Sequence, residues 1–138
     1  MIDSIIINLL RNDTIVASKV TKFAGKPAIF SDVVPEKAKF PNITVRAMQV
    51  SSNAAIKIFN IYIDYWDYSQ TSSSRETSKF VANRIEFILD GYVSNNDRYS
   101  DVRFRFISGY SATAAEYDGI HYNLFFGARG TRKEWMAN

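Results

Sequence analysis

The sequence predicts an α+β fold: an antiparallel or mixed sheet of four to five strands, one long helix packed on a face, and a short amino-terminal helix pair. Three observations predict it. In Ile56 to Trp66, alternate positions place Phe59, Ile61, Ile63 and Tyr65 on one face, and Ile56, Ile58, Asn60, Tyr62, Asp64 and Trp66 on the other. Strand side chains point alternately to opposite sides, so the first set can cover a core. The second mixes Asn60 and Asp64 with large apolar residues, which marks a partly shielded face. Next, Val81, Ile85, Ile88, Leu89 and Tyr92 recur at spacings of three and four, the stripe a helix needs to lie on a sheet. Finally, the coarse order α, β, β, β, α, β, β has short links between consecutive strands, which favours antiparallel pairing with the helices gathered on one face.

Taken in order, Ile2, Ile5, Ile6, Leu9 and Leu10 sit at helical spacing, with Asp3 near the favourable amino end of the dipole. Asn12 and Asp13 break that helix, and either can cap a second short turn through Thr14 to Val20. Gly25, Lys26 and Pro27 mark a loop. Ala28 to Val34 can form a strand, and Pro35 and Pro41, each disfavouring helix before it, force an extended or turning connection. Asn42 to Val50 alternates Ile43, Val45, Ala47 and Gln49 against Thr44, Arg46, Met48 and Val50, and residues 51–55 turn into the long strand. The polar tract Tyr68 to Ser74 reads as a loop. Ser73 followed by Glu76 is a capping-box start for the long helix, and Gly91 suits the left-handed residue past its last turn. Ser94 to Ser100 is turn-forming. Asp101 to Ile107 then alternates, with Val102, Phe104 and Phe106 inward and Arg103 and Arg105 outward. Ser108 to Asp118 reads as a hairpin loop or irregular crossing. The last strand, Gly119 to Ala128, sets Ile120, Tyr122, Leu124 and Phe126 against His121, Asn123 and Phe125. A basic tail follows, with Arg129, Arg132, Lys133 and Trp135.

The 138 residues are 46% hydrophobic and 22% charged, the composition of an ordinary globular chain and the size of a single domain, residues 1–138. There is no cysteine, which excludes disulfides, thiolate nucleophiles and cysteine-ligated metals. No apolar run approaches the ~20 residues of a membrane span, so no membrane partner is expected. At the start, acidic Asp3 precedes the apolar stretch and no small-residue cleavage site follows. A short amphipathic helix fits that stretch better than a signal peptide. A net charge of +3 with both signs interspersed favours a solvated surface over a dedicated nucleic-acid site.

Catalytic and metal patterns are not found, so no enzyme and no cofactor are expected. His121 is the single histidine and lies in a strand, where a half-exposed structural role is the expectation. No second histidine can complete a metal triad, and no acidic cluster has calcium-loop spacing. Gly127 to Gly130 follows a strand but has no helix after it to hold a phosphate. The Ser108 region lacks the preceding glycine of a nucleophile elbow. Asp64 and Asp67 flank Trp66 but point to opposite sides of a strand. What stands out instead is aromatic content: 10 Phe, 8 Tyr and 2 Trp. Tyr62, Tyr65, Trp66 and Tyr68 lead from the core face into a polar loop, and Arg103 and Arg105 project near Tyr99. Basic and aromatic residues on a sheet can stack single-stranded nucleic acid. They are equally the residues enriched in protein–protein contacts, and without an RNA-recognition strand motif the protein interface is favoured.

Four features in one order carry a resemblance: the amino-terminal helix pair, the segment Phe30 to Pro41 leading into a strand, a strand ending in Tyr65, Trp66 and Asp67, and a Ser-rich loop opening the helix Ser73 to Gly91. Together they resemble the tail-completion, or tail-terminator, proteins of tailed bacteriophages, in which a V-P-E-x-A-x-F-P segment precedes a strand. Here that segment is Val34 to Pro41. The resemblance covers roughly residues 1 to 130 and is most specific in the proline segment. The aromatic strand end agrees in character rather than letter by letter, and the region from Ser108 matches in pattern alone. It implies a structural protein that forms a ring, usually six-fold, on the head-proximal end of the tail tube. The implied partners are copies of itself, the tail tube protein and a head-completion or connector protein, with genomic DNA passing through unread. Assembly would take place in the host cytoplasm and the product would reside in the virion neck. Tyr65, Trp66, Tyr68, Arg103, Arg105, Arg129, Arg132, Lys133 and Trp135 are the expected interface residues. A small nucleic-acid-binding module using Arg103 and Arg105 is the alternative.

Overall fold

The computed structural model describes residues 2–52, 55–68, 72–114 and 119–133. Helix α1 (Ile2–Asn12) buries Ile2, Ile6, Ile7 and Leu10. Asp13 then caps α2 (Thr14–Ser18), its carboxylate accepting from the Val16 amide at 3.0 Å. Asn12 is the last residue of α1, so of the two expected caps Asp13 takes the role. A two-stranded hairpin follows, β1 (Lys22–Phe23) and β2 (Lys26–Pro27), where a plain loop was expected. The main sheet holds β3 (Ile29–Ser31), β4 (Asn42–Ser52), β5 (Ile56–Asp67), β6 (Val93–Ser94), β7 (Tyr99–Ala114) and β8 (Gly119–Arg132). Helix α3 (Ser72–Leu89) connects β5 to β6.

The order across the sheet is β3-β4-β5-β8-β7-β6. Every pair is antiparallel except β3 with β4, so the sheet is mixed. Six strands replace the expected four to five. The addition is β6, two residues long and without a periodicity to read, while the expected strand Ala28 to Val34 shrinks to three residues where Asp32 turns at φ 68°. Helix α3 starts at Ser72, which puts Ser73 in its first turn rather than at the cap.

Strand β7 runs on to Ala114, into the stretch Ser108 to Asp118 expected to be a loop, of which residues 115–118 lie outside the described residues. Ser108, Gly109, Ser111 and Ala112 have weak strand propensity, but pairing along β8 supplies the backbone partners that outweigh it. A bulge between Phe106 and Ser108 shifts the register by one. Cross-strand partners share a face, so Arg103 and Arg105 before the bulge, and Ser108 and Tyr110 after it, all lie on one side.

Two helices cover the other side. Helix α1 lies on β3 and β4, and α3 lies on β5, β7 and β8, so the helical layer holds α1 as well as the one long helix expected. Val81, Ala82, Ile85 and Leu89 of α3 meet Phe59, Ile61, Ile63, Val102, Phe104, Leu124 and Phe126 in one apolar cluster. Each fully buried aliphatic or aromatic side chain there contributes roughly 1.5–3 kcal/mol of transfer free energy. Helix α3 stops at Gly91, whose φ of 81° suits a residue without a Cβ and whose amide donates to the Phe104 carbonyl at 2.8 Å. Gly130 lets β8 pass close to β7, since a Cβ there would come within 2.9 Å of Val102 Cγ2. Among the described residues, no helix covers the opposite sheet face.

Candidate interaction surface

The bare face is built from the residues that the alternation of β5 sends away from the core. Register sets Tyr62 opposite Phe125, Asp64 opposite Asn123 and Trp66 opposite His121. Tyr62 and Phe125 stack with ring centroids 5.1 Å apart, and the Arg46 guanidinium sits 5.0 Å from the Tyr62 centroid on the β4 side. Trp66 and His121 stack at 3.9 Å and 5°. Trp66 Nε1 donates to Thr44 Oγ1 at 3.1 Å. Asn123 Nδ2 donates to Asp64 Oδ1 at 2.7 Å, and the same oxygen meets His121 Nε2. The carboxylate therefore fixes the imidazole, and the imidazole lies flat on the indole. This lattice ties β4, β5 and β8 together on that face, with His121 half-exposed as expected. Its link to Asp64, 57 residues away, depends on strand register. Among the described residues no group of three or more His, Asp or Glu side chains could hold a metal ion.

The expected interface residues divide. Tyr65 is buried in the core, its hydroxyl 3.4 Å from the Lys19 carbonyl, and burial pushes its ionisation upward. Its side chain offers no surface to a partner. Trp66 is half-buried and engaged with His121. Tyr68 is 65% exposed beside Phe40, ring centroids 6.1 Å apart. Arg132 and Lys133 are half-buried, their amides bonded to the carbonyls of Ala55 and Arg98. Trp135 lies outside the described residues. Tyr99, the aromatic neighbour expected for Arg103 and Arg105, is buried edge-on against Phe59 and cannot stack a base.

Arg103, Arg105 and Arg129 do come together. They are exposed on the bare face and line a groove with Ile107, Gly127 and Ala128. Arg103 is directly opposite Arg129, an arrangement that costs stability in an isolated sheet. No carboxylate lies within ion-pair distance of the three among the described residues. On the helical side, Phe80 and Phe87 face outward from α3, with Lys19 and Arg84 over their rings.

Sequence reasoning missed the sheet edges. Strand β3 covers β4 at Ile43 to Val45 alone, and β6 covers β7 at Val102 and Arg103 alone. Bonds from Gly91, Tyr92 and Asp90 extend that second cover as far as Phe106. Residues 46–52 of β4 and 107–114 of β7 have no strand on their outer side among the described residues. One signal was available: neither Ala47 to Ser52 nor Ile107 to Ala114 contains a charged residue or a proline.

No family model matches the chain, and a search of curated proteins finds no match. Among solved structures, a chain of a "Virion of native gene transfer agent (GTA) particle" superposes with a TM-score of 0.68. The superposition covers 94% of this chain and 93% of that chain at 17% sequence identity. The two chains share their fold over almost their whole lengths.

Proposed function

We propose that the chain is a structural protein of a phage or phage-like virion, acting as a tail terminator or other neck component. It would cap the head-proximal end of the tail tube as a ring, usually of six copies, and join the tube to the head connector. The observation that carries the reading is the full-length likeness to a virion chain, which spans both proteins with almost nothing left over. The segment Val34 to Pro41 and the aromatic strand end support the terminator position. The work is that of an assembly protein rather than an enzyme, carried out by surfaces and needing no cofactor. Partners are further copies, the tube protein and a connector protein, with genomic DNA passing through the ring. Gold labelling of tagged protein added to tail tubes tests this by electron microscopy. Label at one tube end is expected, and tubes grown in its presence should stop. Label along the tube wall, or none, contradicts it.

A second reading, a nucleic-acid-binding module, is favoured by the Arg103, Arg105 and Arg129 cluster alone. It requires affinity for DNA that falls with salt by a log–log slope of about −0.9 per phosphate neutralised.

A further inference from the structure

We infer that copies of this chain join by edge-to-edge strand pairing, the open part of β7 in one copy adding to the open part of β4 in the next. The inference deepens the ring reading above and rests on it for the closure of the array.

The edges themselves are the first argument. An unpaired strand edge is a template for another chain, and monomeric proteins block it with charge, proline or a cover. Ala47 to Ser52 and Ile107 to Ala114 have none of these in their own sequence. Both segments carry apolar side chains into solvent: Met48 and Val50 are 46% and 50% exposed, Ile107 and Tyr110 are 52% and 59% exposed. The helical layer does not shield Gln49 on β4 or Gly109 and Ser111 on β7, which are exposed as well.

Strand direction is the second. Strands β4, β5, β8 and β7 alternate in direction, and four is an even number, so β4 and β7 run opposite ways. A copy rotated about an axis along the strands therefore brings its β4 antiparallel to the neighbour's β7, continuing the alternation of the sheet. The contact uses two different surfaces of the same chain, which is the heterologous type that generates rings.

Fit is the third. The open segments lie at opposite ends of the strands. Ser108 is level with Phe125, Tyr62 and Arg46, and Ala112 is level with His121, Trp66 and Asn42. Pairing 46–52 with 107–114 thus places the neighbour's β3 beyond the level of the Ala114–Gly119 pair and this copy's β6 beyond the end of the neighbour's β4. The two short strands act as stops that set the register. The stagger this imposes is absorbed by tilting the strands against the ring axis, the relation that closes any β-barrel.

The chain has no cysteine, so introduced thiols report the contact directly. Met48→Cys, Tyr110→Cys and the double variant are treated with a short bis-maleimide and resolved by denaturing electrophoresis. The double variant is expected to give a ladder beyond the dimer, the mixed single variants a dimer, and each single variant alone a monomer. A dimer from one single variant alone means isologous edge pairing and overturns the inference. So does the absence of cross-links in both the double variant and the mixture. Val50→Cys with Ser108→Cys serves as a second pair should either first variant fail to fold. Gold labelling at the tube end without cross-links would sink the edge contact alone, whereas cross-links without tube binding would sink the virion reading alone.

Discussion

Asp13 and Arg84, 71 residues apart, form a two-pronged pair that fastens α2 to α3, with Nη2 to Oδ1 at 2.7 Å and Nε to Oδ2 at 3.2 Å. The same carboxylate caps α2 through the Val16 amide, so one side chain sets both the start of a helix and its place against another. Arg84 and the cap hold the Asp13 carboxyl below its ordinary value of 3.8, and Asp13 in turn raises the guanidinium. For a carboxyl depressed in the folded state, the stabilisation is present above the unfolded pKa and is lost as pH falls through the folded one. Asp13→Asn keeps a capping oxygen but removes the charge. It is expected to cost less than about 1 kcal/mol near pH 7, in the range of a partly exposed pair. Its cost relative to the parent should shrink as pH falls from the ordinary carboxyl value of 3.8 and through the lowered folded one, read from urea midpoints across pH. Asp13→Ala loses the cap as well and should cost about 1–2 kcal/mol.

Ile85 is fully buried at the centre of the α3 face, and Ile85→Ala should destabilise by ~2–5 kcal/mol in denaturant unfolding. Phe87, two positions on and 76% exposed, is the control. Phe87→Ala should change stability by less than about 1 kcal/mol, the worth of an exposed cation–π contact with Arg84. Equal costs at the two positions would mean that the helix presents a different face to the sheet.

Gly91→Ala tests the end of α3. A Cβ at φ 81° costs about 1–2 kcal/mol whatever space surrounds it, and here the space is open. Thermal unfolding should show that loss with the pairing of β6 and β7 otherwise retained. An unchanged melting temperature would mean that the turn relaxes to a right-handed form.

Tyr68 and Trp66 separate surface from scaffold. Tyr68→Ala should leave stability within about 0.5 kcal/mol and weaken assembly if that rim meets a neighbour. Trp66→Ala removes the His121 stack and the bond to Thr44, so it should cost about 1–3 kcal/mol, less than a fully buried Trp. An assembly defect in Trp66→Ala without a stability loss would place the indole at the contact instead.

The parts of the fold that a sequence shows plainly are those where one face is buried without interruption. Phe59, Ile61, Ile63 and Tyr65 announced β5, and Val81, Ile85 and Leu89 announced α3, because burial on one side forces a period. The far half of β7 was hidden because residues 107–111 are exposed on both faces and a bulge at Ile107 breaks the alternation. Tyr99, adjacent to the arginines in sequence, went inward because the bulge at Ser100 to Arg103 reorders which side chains face the core. The Asp64 and His121 contact needs the β5–β8 register, which no local pattern carries.

The mass of the free protein at increasing concentration, by size-exclusion chromatography with light scattering, tests the assembly claim most directly. A discrete species at about six times the 15.7 kDa protomer mass, growing from monomer without a stable dimer, is the expected result. A stable symmetric dimer, or a monomer whose only partner is DNA bound in a strongly salt-dependent way, would contradict it.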